Sequence, residues 1–208
     1  MKNILIHGLG QNSKDWDTIK NELETRGISP IVPDLFDLTK GRELDYPTVY
    51  QAFSELCESY QDKLNLCGLS LGGLLALNYA IQYPKKINSL VLIGTPFEIP
   101  KGLLKFQNIV FRFMPKAVFQ NMGVSKKDFI RLSKSMVDLN FMDSATALDC
   151  PALILCGAKD KTNMESAKRF HEAMKNSKLV IVEASGHEVN KDNPNELVRV
   201  LQDFWADR

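Results

Sequence analysis

The sequence predicts a doubly wound α/β fold: a six-stranded, mainly parallel sheet with a helical cap inserted in it. Three observations carry that expectation. Strand-like and helix-like segments alternate almost from the first residue. Several strand-like segments are continuous Ile, Val and Leu runs rather than alternating ones, which marks a parallel sheet buried on both faces. One long insertion, residues 97–149, then breaks the alternation.

The elements follow in order. Residues 3–7 are a short apolar run closed by Gly8, and residues 15–26 have helical spacing ended by Gly27. Residues 28–33 read as the second strand. Residues 47–61 place Val49, Phe53, Leu56 and Tyr60 on one helical face. Residues 64–68 form a third strand, and residues 71–83 a mostly apolar helix stopped by Pro84. The fourth strand covers residues 87–93 and the fifth residues 151–157. A helix over residues 163–175 and a last strand over residues 179–182 follow. Asn193 and Pro194 then open a final helix by the cap-then-proline pattern. The core is expected over residues 1–96 and 150–208.

Composition narrows the function classes. The chain has 208 residues, 44% hydrophobic and 25% charged, the balance of a globular protein rather than a disordered one. With 26 basic against 25 acidic residues, it lacks the overall basic footprint of a nucleic-acid binder. No apolar run approaches the ~20 residues of a membrane span. The run Ile4–Ile6 is shorter than the about 7–15 residues of a signal-peptide core, so a cytoplasmic location is expected. Cys57, Cys67, Cys150 and Cys156 form no CxxC pair and read as reduced thiols rather than as disulfide or zinc ligands.

The chemical signal is Gly68-Leu69-Ser70-Leu71-Gly72, placed between the third strand and the apolar helix. Three fixed positions arise by chance in about one chain in fifteen of this size, so the context carries the weight. A tight strand-to-helix turn strains the serine backbone and needs small residues two before and two after it. It also sets helix N–H groups and the positive end of the helix dipole beside the hydroxyl.

A serine needs a base. Of the three histidines, His187 follows the last strand, so it falls at the same carboxyl edge of the sheet as Ser70. His171 sits mid-helix among charged residues and reads as surface. His7 closes the first strand and reads as a loop anchor. The imidazole needs an orienting acid, and Asp160 follows the fifth strand. Asp160 also reads as a helix cap, with Asn163 as a competing cap. Glu183 and Asp192 are rival acids, but neither follows the fifth strand. The order Ser70, Asp160, His187 is that of a nucleophile-elbow hydrolase. Two N–H donors for an oxyanion are expected from Leu71 and from Leu9 in the loop after the first strand. That loop lacks the third glycine of a dinucleotide fingerprint.

On Ile6-His7-Gly8-Leu9-Gly10, Pro33-Asp34-Leu35, Gly68 to Gly73, Tyr83-Pro84, Gly157 to Asp160 and Gly186-His187 through Pro194, the chain resembles the α/β-hydrolase superfamily. Within it, the resemblance is to small serine carboxylesterases of the pimeloyl-ester esterase kind. It implies Ser70 as nucleophile, Asp160 as acid, His187 as base, oxyanion donors at Leu9 and Leu71, and a cap at residues 97–149. The first two strands usual in the family have no counterpart here. The family's Asp-x-x-Gly-x-Gly loop is replaced by Asp34-Leu35-Phe36-Asp37-Leu38.

The expected function is cleavage of a short- to medium-chain carboxylic ester through an acyl-enzyme, with no metal or organic cofactor. A nucleophilic serine sets the chain apart from dehalogenases and epoxide hydrolases of the same fold, which use Asp. Seven of the eleven phenylalanines lie in residues 97–149, with four methionines, as in an adaptable apolar pocket. Eight basic residues there face five acidic ones, the balance of an ordinary solvated surface or of one that attracts anionic groups. An acyl thioesterase, a menaquinone-type carbon–carbon lyase and a non-catalytic small-molecule binder are the alternatives. The expected partner is a small ester or thioester, not a nucleic acid.

Overall fold

The computed structural model describes residues 1–96, 111, 114–121 and 123–206. Its elements, in chain order, are β1 (Lys2–Ile6), a 3-10 turn (Ser13–Trp16), α1 (Asp17–Thr25), β2 (Pro30–Ile31), α2 (Leu35–Leu38), α3 (Tyr46–Glu58), β3 (Leu64–Leu69), α4 (Leu71–Gln82), a 3-10 turn (Pro84–Lys86) and β4 (Ile87–Ile93). There follow α5 (Lys116–Asn121), α6 (Lys126–Ser135), α7 (Met142–Ala145), β5 (Ala152–Gly157), α8 (Met164–Ala173), β6 (Ser177–Val182), α9 (Val189–Asp192) and α10 (Pro194–Ala206).

The six strands form one sheet in the order β2-β1-β3-β4-β5-β6, and every neighbouring pair is parallel. The continuous apolar runs have a direct cause. Side chains alternate between faces with period two, and here both faces are covered. Ile4, Ile6, Leu64, Leu66, Leu90, Leu92 and Ile154 join one buried cluster with α3, α4 and α8. Leu5, Cys67, Val91, Ile93, Leu153 and Leu155 join the other, with α1 and α10. Helix α4 is apolar nearly all round because it is buried nearly all round.

The structure departs from the sequence expectation in several places, three of them before α3. The helix expected over residues 15–26 begins as a 3-10 turn, held by a reciprocal cap between Asn12 and Asp15. The second strand shrinks to Pro30–Ile31. A short helix, α2, forms after it because the Asp34 carboxylate accepts the Phe36 and Asp37 N–H groups.

Within the expected cap, residues 97–110, 112, 113 and 122 lie outside the described residues. The rings of Phe111, Phe119 and Phe129 pack edge to face, with centroids 5.0–6.4 Å apart. Phe119, Phe129, Leu132 and Met136 are buried in the same cluster as α3 and α4. These rings therefore fill an interior that is continuous with the core.

Candidate active site

Parallel strands end at one edge, and five loops meet there: those after β1, β3, β4, β5 and β6. Ser70 is the single residue between β3 and α4, with φ 52° and ψ −110°. That backbone is costly for a side chain other than glycine. It is held from both sides: the Ser70 N–H donates to the Ile93 carbonyl at 2.8 Å, and its carbonyl accepts from Leu74 N–H at 3.0 Å. Glycine is needed beside it for space. A methyl group at Gly68 would overlap the backbone of Gly72, and one at Gly72 would overlap the carbonyl oxygen of Ile6.

Asp160 and His187, expected to pair, are brought together. The loops that carry them are laced by hydrogen bonds from Ala158 N–H to the Val182 carbonyl (2.9 Å) and from Lys159 N–H to the Ser185 carbonyl (2.8 Å). His187 Nδ1 lies 2.7 Å from Asp160 Oδ2. Since an ionised carboxylate only accepts, Nδ1 carries the proton and Nε2 is left as a lone-pair base. Among the described residues no hydrogen bond falls on Nε2, and the His187 side chain is 41% exposed against 4% for Asp160. Burial pushes the Asp160 carboxyl up, but the hydrogen bonds from His187 and Asn163 and the electrostatic attraction of His187 outweigh it and hold the group below the usual aspartate value.

Sequence reasoning did not foresee two neighbours of this pair. Asn163 was read only as a helix cap, yet its side chain makes no cap bond. Its Nδ2 donates instead to Asp160 Oδ2 at 2.8 Å and Oδ1 at 3.0 Å, and its backbone N–H donates to Oδ1 at 3.2 Å. Gly94, with φ 51°, follows β4, and a methyl group there would come within 3.0 Å of His187 Nδ1 and 3.3 Å of Asp160 Oδ2. The Ile93 carbonyl that anchors Ser70 thus directly precedes the residue under the imidazole. A glycine after a strand was the only available signal.

The oxyanion candidates flank Ser70. Leu71 opens α4, so its N–H is one of the helix's unsatisfied donors. Leu9 follows Gly8, where a methyl group would lie 3.5 Å from Ser70 Cβ. His7, fully buried, is the anchor of this loop. Its Nε2 accepts from Leu35 N–H at 3.0 Å and its Nδ1 meets the Gly8 carbonyl at 3.0 Å. Burial lowers its pKa, against a smaller upward pull from the Gly8 carbonyl, so it sits neutral. The remaining candidates are elsewhere: Asp192 spends its carboxylate on the Gly186 N–H at 2.7 Å, and exposed His171 bonds Ser177. Among the described residues no three His, Cys, Asp or Glu side chains gather as a metal site would require, and no helix is long and apolar enough to cross a membrane.

Comparison with known proteins agrees with this architecture. The profile of the alpha/beta hydrolase fold family matches residues 4–138. Lipase 3 of Moraxella sp. is 27% identical over an alignment covering 93% of this chain and 75% of the lipase. The pimeloyl-[acyl-carrier protein] methyl ester esterase of Aeromonas hydrophila is 22% identical, covering 97% of this chain and 94% of its own. The solved esterase of Exiguobacterium antarcticum superposes with a TM-score of 0.85 at 20% identity, over 98% of this chain and 91% of the esterase. The chain belongs to the alpha/beta hydrolase fold family.

Proposed function

We propose that the protein is a serine hydrolase that cleaves a short- to medium-chain carboxylic ester through an acyl-enzyme. The observation that carries this reading is the strained Ser70 at a one-residue turn, on the sheet edge that also holds the His187–Asp160 pair. Ser70 Oγ attacks the ester carbonyl while His187 Nε2 takes its proton. Asp160 holds the imidazole in the tautomer that leaves Nε2 free and stabilises the imidazolium. The N–H groups of Leu71 and Leu9 receive the developing oxyanion, at the positive end of α4. His187 then returns the proton to the departing alkoxide. In the second half, water gives a proton to His187 and attacks the acyl-serine, which releases the acid and restores Ser70.

Residues 97–149 are proposed as a cap over this edge that sizes the acyl pocket. The names of the Moraxella and Aeromonas relatives support an ester substrate. The reading also places the enzyme in a reducing cytoplasm, in keeping with the buried thiols of Cys57, Cys67 and Cys156.

The test is turnover of p-nitrophenyl esters from acetate to laurate by the wild type and by Ser70→Ala. Turnover by the wild type that the variant loses, with an optimum at short or medium chains, is the expected result. No turnover of any ester, with Ser70 still labelled by a fluorophosphonate, refutes the ester reading. Acyl thioesters and carbon–carbon substrates then become the next assays. Absence of labelling as well leaves a binding protein without catalysis.

A further inference from the structure

We infer that Gln11 is a positioning residue for this reaction: its buried amide ties the loop that presents the Leu9 N–H to the loop that carries His187. The inference rests on the serine-hydrolase reading above. Gln11 is 1% exposed and closes the turn after β1, where its backbone N–H donates to the Gly8 carbonyl at 3.2 Å. That turn contains Leu9 and a left-handed Gly10 at φ 90°.

The Gln11 side chain leaves its own loop. Nε2 donates to Glu188 Oε1 at 2.8 Å and to Asn190 Oδ1 at 3.1 Å. Asn190, 2% exposed, returns a donation from Nδ2 to Gln11 Oε1 at 3.4 Å, and the same Nδ2 donates to the Asp15 carbonyl at 3.0 Å. Lys191 closes the outer side, with Nζ 2.9 Å from Asp15 Oδ1 and 3.1 Å from Glu188 Oε1. The partners are 177 and 179 residues apart in sequence, and Glu188 is the residue directly after the base.

This arrangement has a catalytic consequence. The oxyanion donor and the base act on the same tetrahedral centre, so their separation must be held to a fraction of an ångström. Each sits on an irregular loop, which by itself is the mobile part of a fold. A buried amide that bonds both loops reduces the motion of one against the other. Burial also makes the link costly to leave unpaired, because a lone amide N–H away from water loses its full hydration. A carboxylate at position 11 could not serve, since it would face the Glu188 carboxylate.

The experiment measures kcat and KM on the best p-nitrophenyl ester together with the thermal midpoint. Gln11→Leu is expected to lower kcat about tenfold to hundredfold, the scale of misplacing a reacting group by ~1 Å, with KM changed by less than about threefold. Gln11→Glu alone should lose as much. Glu188→Gln alone keeps an acceptor for Gln11 Nε2 and should stay close to wild type. The pair Gln11→Glu with Glu188→Gln reverses the direction of the bond to position 188, at the loss of the donation to Asn190 Oδ1, and should recover a clear part of the kcat that Gln11→Glu loses. That rescue is a readout that mere loop stability would not produce, and it decides the matter if Gln11→Leu fails to fold. A wild-type kcat in Gln11→Leu, a change confined to KM, or a double variant no better than Gln11→Glu overturns the inference while Ser70-dependent turnover stands. A wild type without such turnover overturns both readings.

Discussion

Replacing Asn163 by alanine should weaken the fold and the catalytic pair together, and the pH dependence tells why. The side chain gives one nitrogen to both oxygens of a buried carboxylate, at 2.8 and 3.0 Å. A hydrogen bond to a charged group contributes about 1.5–3 kcal/mol. Because a single nitrogen is shared between the two oxygens, the loss counts once, at about 2 kcal/mol. For a chain of this length that corresponds to a thermal midpoint lower by about 4–8 °C near neutral pH. The Asp160 carboxyl lies below its ordinary value in the folded protein, with Asn163 among the causes. Its stabilisation is therefore fully present above the ordinary aspartate value of about 4 and is lost as the pH falls through the folded value. The gap in midpoint between wild type and Asn163→Ala should then narrow in acid, as both proteins come to hold a protonated Asp160. Activity should fall about tenfold, far less than the ~10⁴-fold cost of losing the acid's function altogether, because His187 still donates to Asp160. Calorimetry across a pH series, with kcat at neutral pH, gives both numbers. A gap in midpoint that stays constant into acid would refute the reasoning and reduce Asn163 to packing at the start of α8.

Other predictions follow from the same geometry. Gly72→Ala presses a methyl group into the Ile6 carbonyl, so α4 must shift away from β1. A loss of about 1–3 kcal/mol in urea unfolding and of nearly all ester turnover is expected, and a variant with the wild-type midpoint contradicts it. His7 is buried with its pKa lowered, so the unfolded chain takes up its proton first. Stability should be full above the ordinary histidine value of about 6.5 and decline as the pH falls below it. His7→Gln, which cannot protonate in that range, should flatten the decline, and unchanged curvature in the urea series would count against it.

Much of this molecule was legible in one dimension. The strands announce themselves because a sheet buried on both faces demands apolar residues at every position, as in Leu90–Ile93. The Ser70 turn is legible because a one-residue strand-to-helix turn tolerates only glycine at Gly68 and Gly72. The order of Ser70, Asp160 and His187 along the chain, combined with parallel strands, suffices to put all three at one edge. The helix α2 was missed because its only signal is the Asp34 cap, and a four-residue helix shows no periodicity.

What tertiary structure alone decided is which polar groups meet. Asn163 looks like any helix cap in sequence; its amide meets Asp160 three residues back, and only the lacing of the loops after β5 and β6 brings that pair against His187. Gly94 is an ordinary loop glycine until the imidazole is packed against it. Gln11 carries no sequence signal at all, because its partners Glu188 and Asn190 are the width of the chain away. Apolar burial follows the local period of the backbone and so can be read from neighbours in sequence. A hydrogen bond between distant segments depends on a donor and an acceptor meeting within about 3 Å, and that distance is set only when the whole sheet has closed.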